Sequence, residues 1–263
     1  MFRRELKVNL KSAIIWLGIL ASIYVVVILV YPYIIDGENV SMMKDMMALF
    51  PQEILKAFNM DIALIDTAFG WVKSEGFVFI LLVVSCYSGI LGSSIVLKEE
   101  NDKTIEYLVG LPISRIRIVV SKILVGLIYI VGMVVLLGII NFVALSIAGD
   151  FDYVQYILLS ITPLFPALVI YFVCMFISTF THKSKSMLGV SLGITLLSYI
   201  IHIISTISTN VEFLKYFSVF TLADIRNVII DVAINPIHVV VTLVLASIFA
   251  LATIIRYNHK ELV

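Results

Sequence analysis

Long apolar runs determine what this chain can fold into. Six apolar stretches occur along its 263 residues, at 12–35, 77–97, 116–148, 154–180, 187–207 and 237–255. A helix needs about 20 predominantly apolar residues to cross the hydrocarbon core of a bilayer, and each stretch meets or nearly meets that length. None has the alternating pattern of a membrane β-strand. The sequence therefore predicts an all-α membrane protein with six transmembrane helices in a single domain over residues 1–263.

Lysine and arginine are unevenly distributed among the loops. If successive spans alternate direction, five of the 18 cations fall on one side, namely Lys44, Lys56, Lys73, Lys215 and Arg226. The other thirteen fall on the opposite side, together with both termini. Loops rich in Lys and Arg stay in the cytoplasm. We therefore predict a multi-pass protein of the plasma membrane with both termini in the cytoplasm and with outer segments at 36–72 and 208–236.

The first residues are basic and follow a helical pattern. Apolar side chains recur every four positions between the basic ones, at Phe2, Leu6 and Leu10. This pattern predicts a short amphipathic helix on the inner membrane surface, and a basic flank that only fixes orientation is the alternative. The next apolar run is longer than that of a signal peptide and has no small-residue cleavage site. We interpret it as a retained first span.

The outer segments are predicted to contain short helices. In segment 36–72, Pro51 suits the first position of a helix, and the four methionines from Met42 to Met47 form one apolar face that packs on the spans or binds a ligand. Segment 208–236 is half apolar and predicts one or two short outer helices, which either stay on the outer surface or dip part-way into the membrane where protein covers them. Pro163 and Pro166 each remove a backbone donor and predict a kink in the fourth span.

Small residues at helical spacing predict close helix packing, because they let backbones approach each other in lipid. They are Ser85, Gly89 and Gly92 in the second stretch and Gly189 and Gly193 in the fifth. The contact lies either within the subunit or between subunits.

Both cysteines, Cys86 and Cys174, fall in mid-span and are interpreted as small apolar packing residues.

Several kinds of chemistry have no motif in the sequence. The phosphate-binding loop G-x-x-x-x-G-K-[ST], the zinc motif H-E-x-x-H and the nucleophile motif G-x-S-x-G do not occur, so we expect no catalytic residue, no metal site and no cofactor bound by this chain. The spans hold essentially no ionisable group at mid-depth, which argues against a proton-driven carrier. We expect no nucleic acid among the partners of this chain.

A charged island, Lys98–Lys122, interrupts the apolar sequence between the second and third stretches. Asn101 or Asp102 is expected to cap a short helix with one apolar stripe formed by Ile105, Leu108 and Leu111. A helix of about two turns is marginal alone in water. It therefore needs a surface to pack against, either the membrane interface or a groove on a cytoplasmic protein.

The residues of this island resemble a known motif. Glu99–Arg115, read as EENDKTIEYLVGLPISR, is similar to the pattern E-x-x-x-x-T-x-E-x-L-L-x-x-P-[IV]-S-R of ABC-2 type permeases, the membrane subunits of bacterial ABC exporters, and Ser121-Lys122 fits its continuation. The segments PQEILKAF, from Pro51, and EGF, from Glu75, are similar to the family's segment before the second span. Val109-Gly110 departs from the family, which often has Leu or Ser there.

The resemblance implies a permease that pairs with a second permease copy and with two copies of a separate cytoplasmic ATPase, which binds ATP and Mg. The short helix is then the coupling helix, seated in a groove of the ATPase. The implied ATPase contacts are Glu99, Glu100, Thr104, Ile105, Glu106, Leu108, Leu111, Pro112 and Arg115. A second cytoplasmic contact is implied at His182, Lys183 and Lys185, which otherwise serve only as a basic topology anchor.

The same resemblance also implies what the protein transports and what this transport does for the cell. An amphipathic or hydrophobic cargo, such as a peptide, a drug or a lipid-like molecule, would leave the cell or the membrane, and peptide export and antimicrobial resistance are typical outcomes. The alternative is a non-transporting structural, regulatory or immunity subunit in the membrane. An intramembrane enzyme is disfavoured by the missing motifs.

Overall fold

The computed structural model describes residues 2–34, 37–57, 60, 67–105, 110, 112–207, 209–225, 228–229 and 231–260. All regular structure in these residues is helical, and they contain no strand. The predicted all-α class is therefore confirmed.

Ten α-helices occur in the described ranges: α1 (Phe2–Ile34), α2 (Gly37–Ala48), α3 (Gln52–Ala57), α4 (Ala68–Trp71), α5 (Phe77–Asn101), α6 (Arg115–Ala148), α7 (Tyr153–Ile161), α8 (Leu164–Ser178), α9 (Ser184–Ile207) and α10 (Pro236–Asn258). A π-helical turn, Val72–Gly76, joins α4 to α5. Six helical segments are long and apolar enough to cross a membrane, as the sequence predicts: α1, α4–α5, α6, α7–α8, α9 and α10.

Helices α5 and α8 form the centre of the bundle. In the most apolar part of α4–α5, 78% of the residues are buried, against 22% in α1 and 17% in α10. Helix α8 packs against α5, and α9, α10 and α6 surround this pair. The outer helices expose rows of aliphatic side chains, as expected where lipid rather than protein covers them.

The N-terminal residues do not form the separate interfacial helix that the pattern Phe2, Leu6, Leu10 suggests. They are the first turns of α1, which is continuous over 33 residues. The reason lies on the face of α1 that meets the bundle, where Glu5 and Asn9 are buried at 3% and 5% exposure. Polar contacts on that face hold the basic segment in line with the span.

Proline breaks the fourth span as predicted. Helix α7 ends at Ile161, and α8 begins at Leu164 after Pro163. Asp152 caps the start of α7 by accepting hydrogen bonds from Val154 N and Gln155 N at 2.8 and 3.0 Å. The two segments therefore form one bent span rather than one straight helix.

Short helices lie between the long ones. Helices α2 and α3 match the two predicted in segment 36–72, and Met47 packs with Val27 and Tyr31 of α1 while Met42 stays 64% exposed. In segment 208–236 the chain forms two 3₁₀ helices, Thr209–Phe217 and Val219–Ala223. The second carries the fully buried Phe220 into a cluster with residues of α5 and α8.

Candidate functional site

Polar side chains concentrate at one end of the bundle, and Lys122 of α6 is their centre. This lysine is fully buried, and its Nζ donates to both carboxylate oxygens of Glu99 at 2.8 and 3.0 Å. It also donates to the carbonyl oxygen of Ile95 at 2.6 Å and to Glu5 Oε1 at 3.4 Å. One ammonium group therefore joins α1, α5 and α6, and we call these residues the Lys122 cluster.

A second ionic contact involves the next residue of α5, Glu100. Its Oε1 lies 2.7 Å from Lys260 Nζ, and its Oε2 lies 2.7 Å from His182 Nδ1. Lys260 also donates to the carbonyl oxygen of Thr181 at 2.9 Å. Glu100 is thus the bridge between the end of α5, the α8–α9 loop and the residues after α10.

Arg115 completes this arrangement from the start of α6. Its guanidinium donates to the carbonyl oxygens of Asn258 and Lys260 at 3.1 and 2.8 Å. Cations at the end of a helix satisfy carbonyls that have no partner within the helix. Arg115 therefore fixes the end of α10 to the start of α6.

These contacts place both ends of the described chain at the same end of the bundle. Glu5 near the start of α1 meets Lys122, and Lys260 after α10 meets Glu100, which directly follows Glu99 of the Lys122 cluster. An even number of spans requires this arrangement. The cation-rich loops of the sequence come together here.

The loop from α5 to α6 begins with a tight turn. Asp102 ends α5 as its C-cap, and Lys103 adopts a positive φ of 54°. Thr104 N then donates to the carbonyl oxygen of Glu99 at 2.8 Å. The prediction that Asn101 or Asp102 starts a new helix is therefore wrong, since Asn101 is the last residue of α5 and Asp102 closes it.

Both ends of this loop are attached to the bundle. Ile105 is only 3% exposed and belongs to the same apolar cluster as Ile118 and Val119 of α6. At the other end, Ser114 Oγ accepts from Arg117 N and caps α6. The predicted contacts Glu106, Leu108 and Leu111 lie outside the described residues.

The predicted site residues thus divide into two groups. Glu99, Glu100 and Ile105 are directed into this chain, with partners of their own, which differs from their predicted role as contacts for a partner protein. Thr104 and Arg115 are half-buried, whereas Pro112, His182, Lys183 and Lys185 are exposed. Within the second group, Arg115 and His182 also contact this chain, whereas Pro112, Lys183 and Lys185 are exposed at the charged end.

The small residues of α5 lie against α8. A Cβ at Gly92 would stand 2.3 Å from the carbonyl oxygen of Tyr171, and one at Gly89 would stand 3.1 Å from Ile170 Cγ2. Ser85 of the same helix is fully buried. A bulkier residue at Gly92 would therefore separate α5 from α8.

Gly189 and Gly193 behave differently. No described atom lies within 4 Å of a Cβ built at either position, and both residues are exposed. The interpretation that they serve tight packing within the subunit is therefore wrong. The face of α9 that carries them points away from the bundle.

The close contact between Gly126 of α6 and Tyr171 of α8 was not predicted from the sequence. A Cβ there would stand 2.1 Å from Tyr171 Oη, and this hydroxyl donates to the carbonyl oxygen of Lys122 at 3.1 Å. The missing Cβ thus lets Tyr171 of α8 reach the backbone beside the Lys122 cluster. An isolated glycine in an apolar run does not by itself indicate such a contact.

The interior has a small, mainly apolar pocket nearer the opposite end. A cavity of about 20 Å³ is lined by residues that include Tyr24, Asn141 and Tyr156, and Asn141 Oδ1 has no hydrogen-bond partner among the described residues. This volume suits about one water molecule. In this structure the pocket is therefore far smaller than any drug or peptide.

The side chains described give no sign of a metal centre. No group of three or more His, Cys, Asp or Glu in the described ranges has a metal-binding arrangement. Cys86 and Cys174 are free thiols buried in the bundle. The polar groups of the charged end are instead joined in ion pairs.

Comparison with known proteins assigns the fold to a family. The family model described as "ABC-2 family transporter protein" matches residues 1–262. The chain belongs to the ABC-2 transporter family. The resemblance stated from Glu99–Arg115 is thereby confirmed, and the chain is an ABC-2 type permease, a membrane component of a transporter that is generally not catalytic itself. The permease matched no curated protein and no solved structure.

Proposed function

We propose that this permease is the membrane subunit of an ATP-driven exporter and works with a separate cytoplasmic ATPase. The observation that carries the proposal is the family match over residues 1–262 in a chain that has no phosphate-binding loop of its own. Energy must then come from a partner that binds ATP and Mg. The charged end of the bundle is the surface best suited to receive it.

We infer the orientation in the membrane from the charges at that end. Contacts between Glu5, Lys122, Glu100 and Lys260 bring the basic N-terminal turns, the α5–α6 loop and the α8–α9 loop to one side. Cytoplasmic loops carry an excess of Lys and Arg. We therefore place this end in the cytoplasm, with α2, α3 and the 3₁₀ helices on the outer side.

The segment between Asp102 and Ser114 is the proposed coupling element. Its ends are held by the Thr104–Glu99 backbone hydrogen bond, by buried Ile105 and by the Ser114 cap. A partner that pushes this segment would therefore act directly on α5 and α6. The sequence stripe supplies Leu108 and Leu111 as the apolar contacts for a groove on the ATPase.

Ionic contacts are proposed to carry this movement through the bundle. The Lys122 side chain is fully buried and joins α5, α6 and α1. Separation of these helices would therefore break its ion pairs and leave buried charges without a partner. Glu99 and Glu100 then serve within the permease rather than on the ATPase surface. His182, Lys183 and Lys185 remain as the proposed second contact with the partner.

Assembly and cargo extend the proposal. Two permeases and two ATPases form the complex, and the open glycine face of α9, at Gly189 and Gly193, supports a close contact with the second permease. An amphipathic or hydrophobic cargo, such as a peptide, drug or lipid-like molecule, suits the apolar spans. The small pocket at Asn141 is too small to hold such a cargo.

The test is purification of the tagged permease from its native membrane in mild detergent. We expect an ABC ATPase to co-purify, identified by mass spectrometry, and we expect the complex to hydrolyse ATP in a reaction blocked by vanadate. The control is the same purification with the tag on an unrelated multi-pass protein. A permease that recovers no ATPase under these conditions would favour the non-transporting role.

A further inference from the structure

The outward face of α1 carries a compact group of cations. Arg3, Arg4, Lys7 and Lys11 are all exposed, and none makes an ion pair with a described residue. Since successive residues of an α-helix are about 100° apart, these four side chains fall within an arc of about 100°. We call them the α1 cation face.

The opposite face of the same turns is fixed to the bundle. Glu5 and Asn9 are buried there, and Glu5 contacts Lys122 at 3.4 Å. Tyr129 Oη also donates a hydrogen bond to the carbonyl oxygen of Leu6. These contacts prevent the cation face from turning inward, so its charges stay available to a molecule outside this subunit.

The same side of α1 continues as a bare apolar surface. Ile14, Val25 and Leu29 lie in line with the cations and are 59%, 52% and 62% exposed. Between them, a Cβ at Gly18 would meet no described atom within 4 Å. A shallow apolar track therefore runs along the span directly from the cation face.

The length of α1 places the cations at headgroup level. The spanning segment Phe2–Tyr33 has 32 residues, which corresponds to about 48 Å at about 1.5 Å per residue. The hydrocarbon core takes up only about 30 Å of this. If residues 13–32 fill the core, Lys11 and Lys7 lie just beyond it, where long cationic side chains reach lipid phosphates.

We infer that the α1 cation face is a binding site for an anionic phospholipid, with the headgroup on Lys7 and Lys11 and an acyl chain along the track from Ile14 to Leu29. Charge complementarity selects an anionic headgroup over a zwitterionic one. A soluble protein would meet the cations but not the track, which lies within the hydrocarbon layer. This site does not depend on the proposed ATPase, and failure of either proposal leaves the other standing.

The lipid would also stabilise the packing of α1. The helix is held to the bundle by Glu5 on one side, and a bound lipid covers the other side. Anionic lipid should therefore raise the thermal stability of the permease, whereas zwitterionic lipid should not.

The experiment titrates purified, detergent-solubilised permease with dioleoyl phosphatidylglycerol or dioleoyl phosphatidylcholine and counts bound lipids by native mass spectrometry. One cation near an anionic surface is worth about a fivefold change in affinity. We expect Lys7→Gln/Lys11→Gln to weaken phosphatidylglycerol binding at least about tenfold and to leave phosphatidylcholine unchanged. The matched control is Lys183→Gln/Lys185→Gln, two exposed cations at the same end, which should bind as the wild type does.

Two further arms make the result decisive. Lys11→Gln alone should give an intermediate loss, and it replaces the double variant if that protein is not monodisperse. Glycerol 3-phosphate, which offers the phosphate without acyl chains, should not displace the lipid. Equal binding of both lipids to the wild type, equal loss in the control variant, or displacement by glycerol 3-phosphate would each overturn the inference.

Discussion

Removal of the Lys122 ammonium is the sharpest perturbation of the charged end. Lys122→Met keeps most of the side-chain volume but removes the cation that pairs with Glu99 and Glu5. Both carboxylates are only 3% exposed, so they would be left buried without a partner. Breaking a buried ion pair on one side costs about 3–5 kcal/mol. For a chain of this size, a loss of about 1 kcal/mol in the free energy of unfolding lowers the melting temperature by about 2–4 °C. We therefore expect the melting temperature to fall by about 10 °C.

The assay is thermal unfolding of a detergent-solubilised fluorescent fusion, followed by size-exclusion chromatography. Lys122→Met/Glu99→Gln should recover a substantial part of the loss, because it also removes the carboxylate charge that the lysine neutralises. Lys183→Met, which removes an exposed cation at the same end, should melt within about 2 °C of the wild type. A Lys122→Met protein as stable as this control would refute the role of the Lys122 cluster in holding α1, α5 and α6 together.

Other variants test packing, assembly and orientation. Gly92→Ala should destabilise the monomer by about 3 kcal/mol, measured in the same thermal assay, because the new Cβ would overlap the backbone of α8. Gly189→Leu/Gly193→Leu should leave monomer stability unchanged and weaken the permease dimer, measured by cross-linking in membranes; unchanged cross-linking would remove α9 from the interface. For the orientation, single cysteines replace Asp61 or Lys183 in the cysteine-free permease. The cysteine at 61 should react with a membrane-impermeant reagent added outside intact cells, and the cysteine at 183 should not. The reverse pattern would invert the proposed topology.

The sequence is sufficient to predict the elements whose cause is local. Six spans follow from apolar length alone, and the break at Pro163 follows from the missing backbone donor. The close approach at Gly92 follows from the spacing of small residues along α5, because one face of a helix repeats every three to four positions.

Contacts between distant parts of the chain could not be predicted in this way. Glu5 and Lys122 are 117 positions apart, and each is a plausible surface charge when its own segment is considered alone. Their pairing depends on α1 and α6 lying side by side, and it also explains why the basic N-terminus continues α1. Helical spacing likewise identifies a small-residue face at Gly189 and Gly193 but cannot tell whether that face points inward.

The most direct measurement of the central proposal is recovery of the ATPase with a Leu108→Asp permease. Burial of one Leu side chain is worth about 1.5–3 kcal/mol, so the variant should bind the ATPase at least about tenfold more weakly, although it inserts and folds normally. Leu49→Asp, the same change at an 85% exposed position in the outer segment, is the matched control and should retain the ATPase. Full recovery of the ATPase with Leu108→Asp would contradict the coupling role of the segment between α5 and α6.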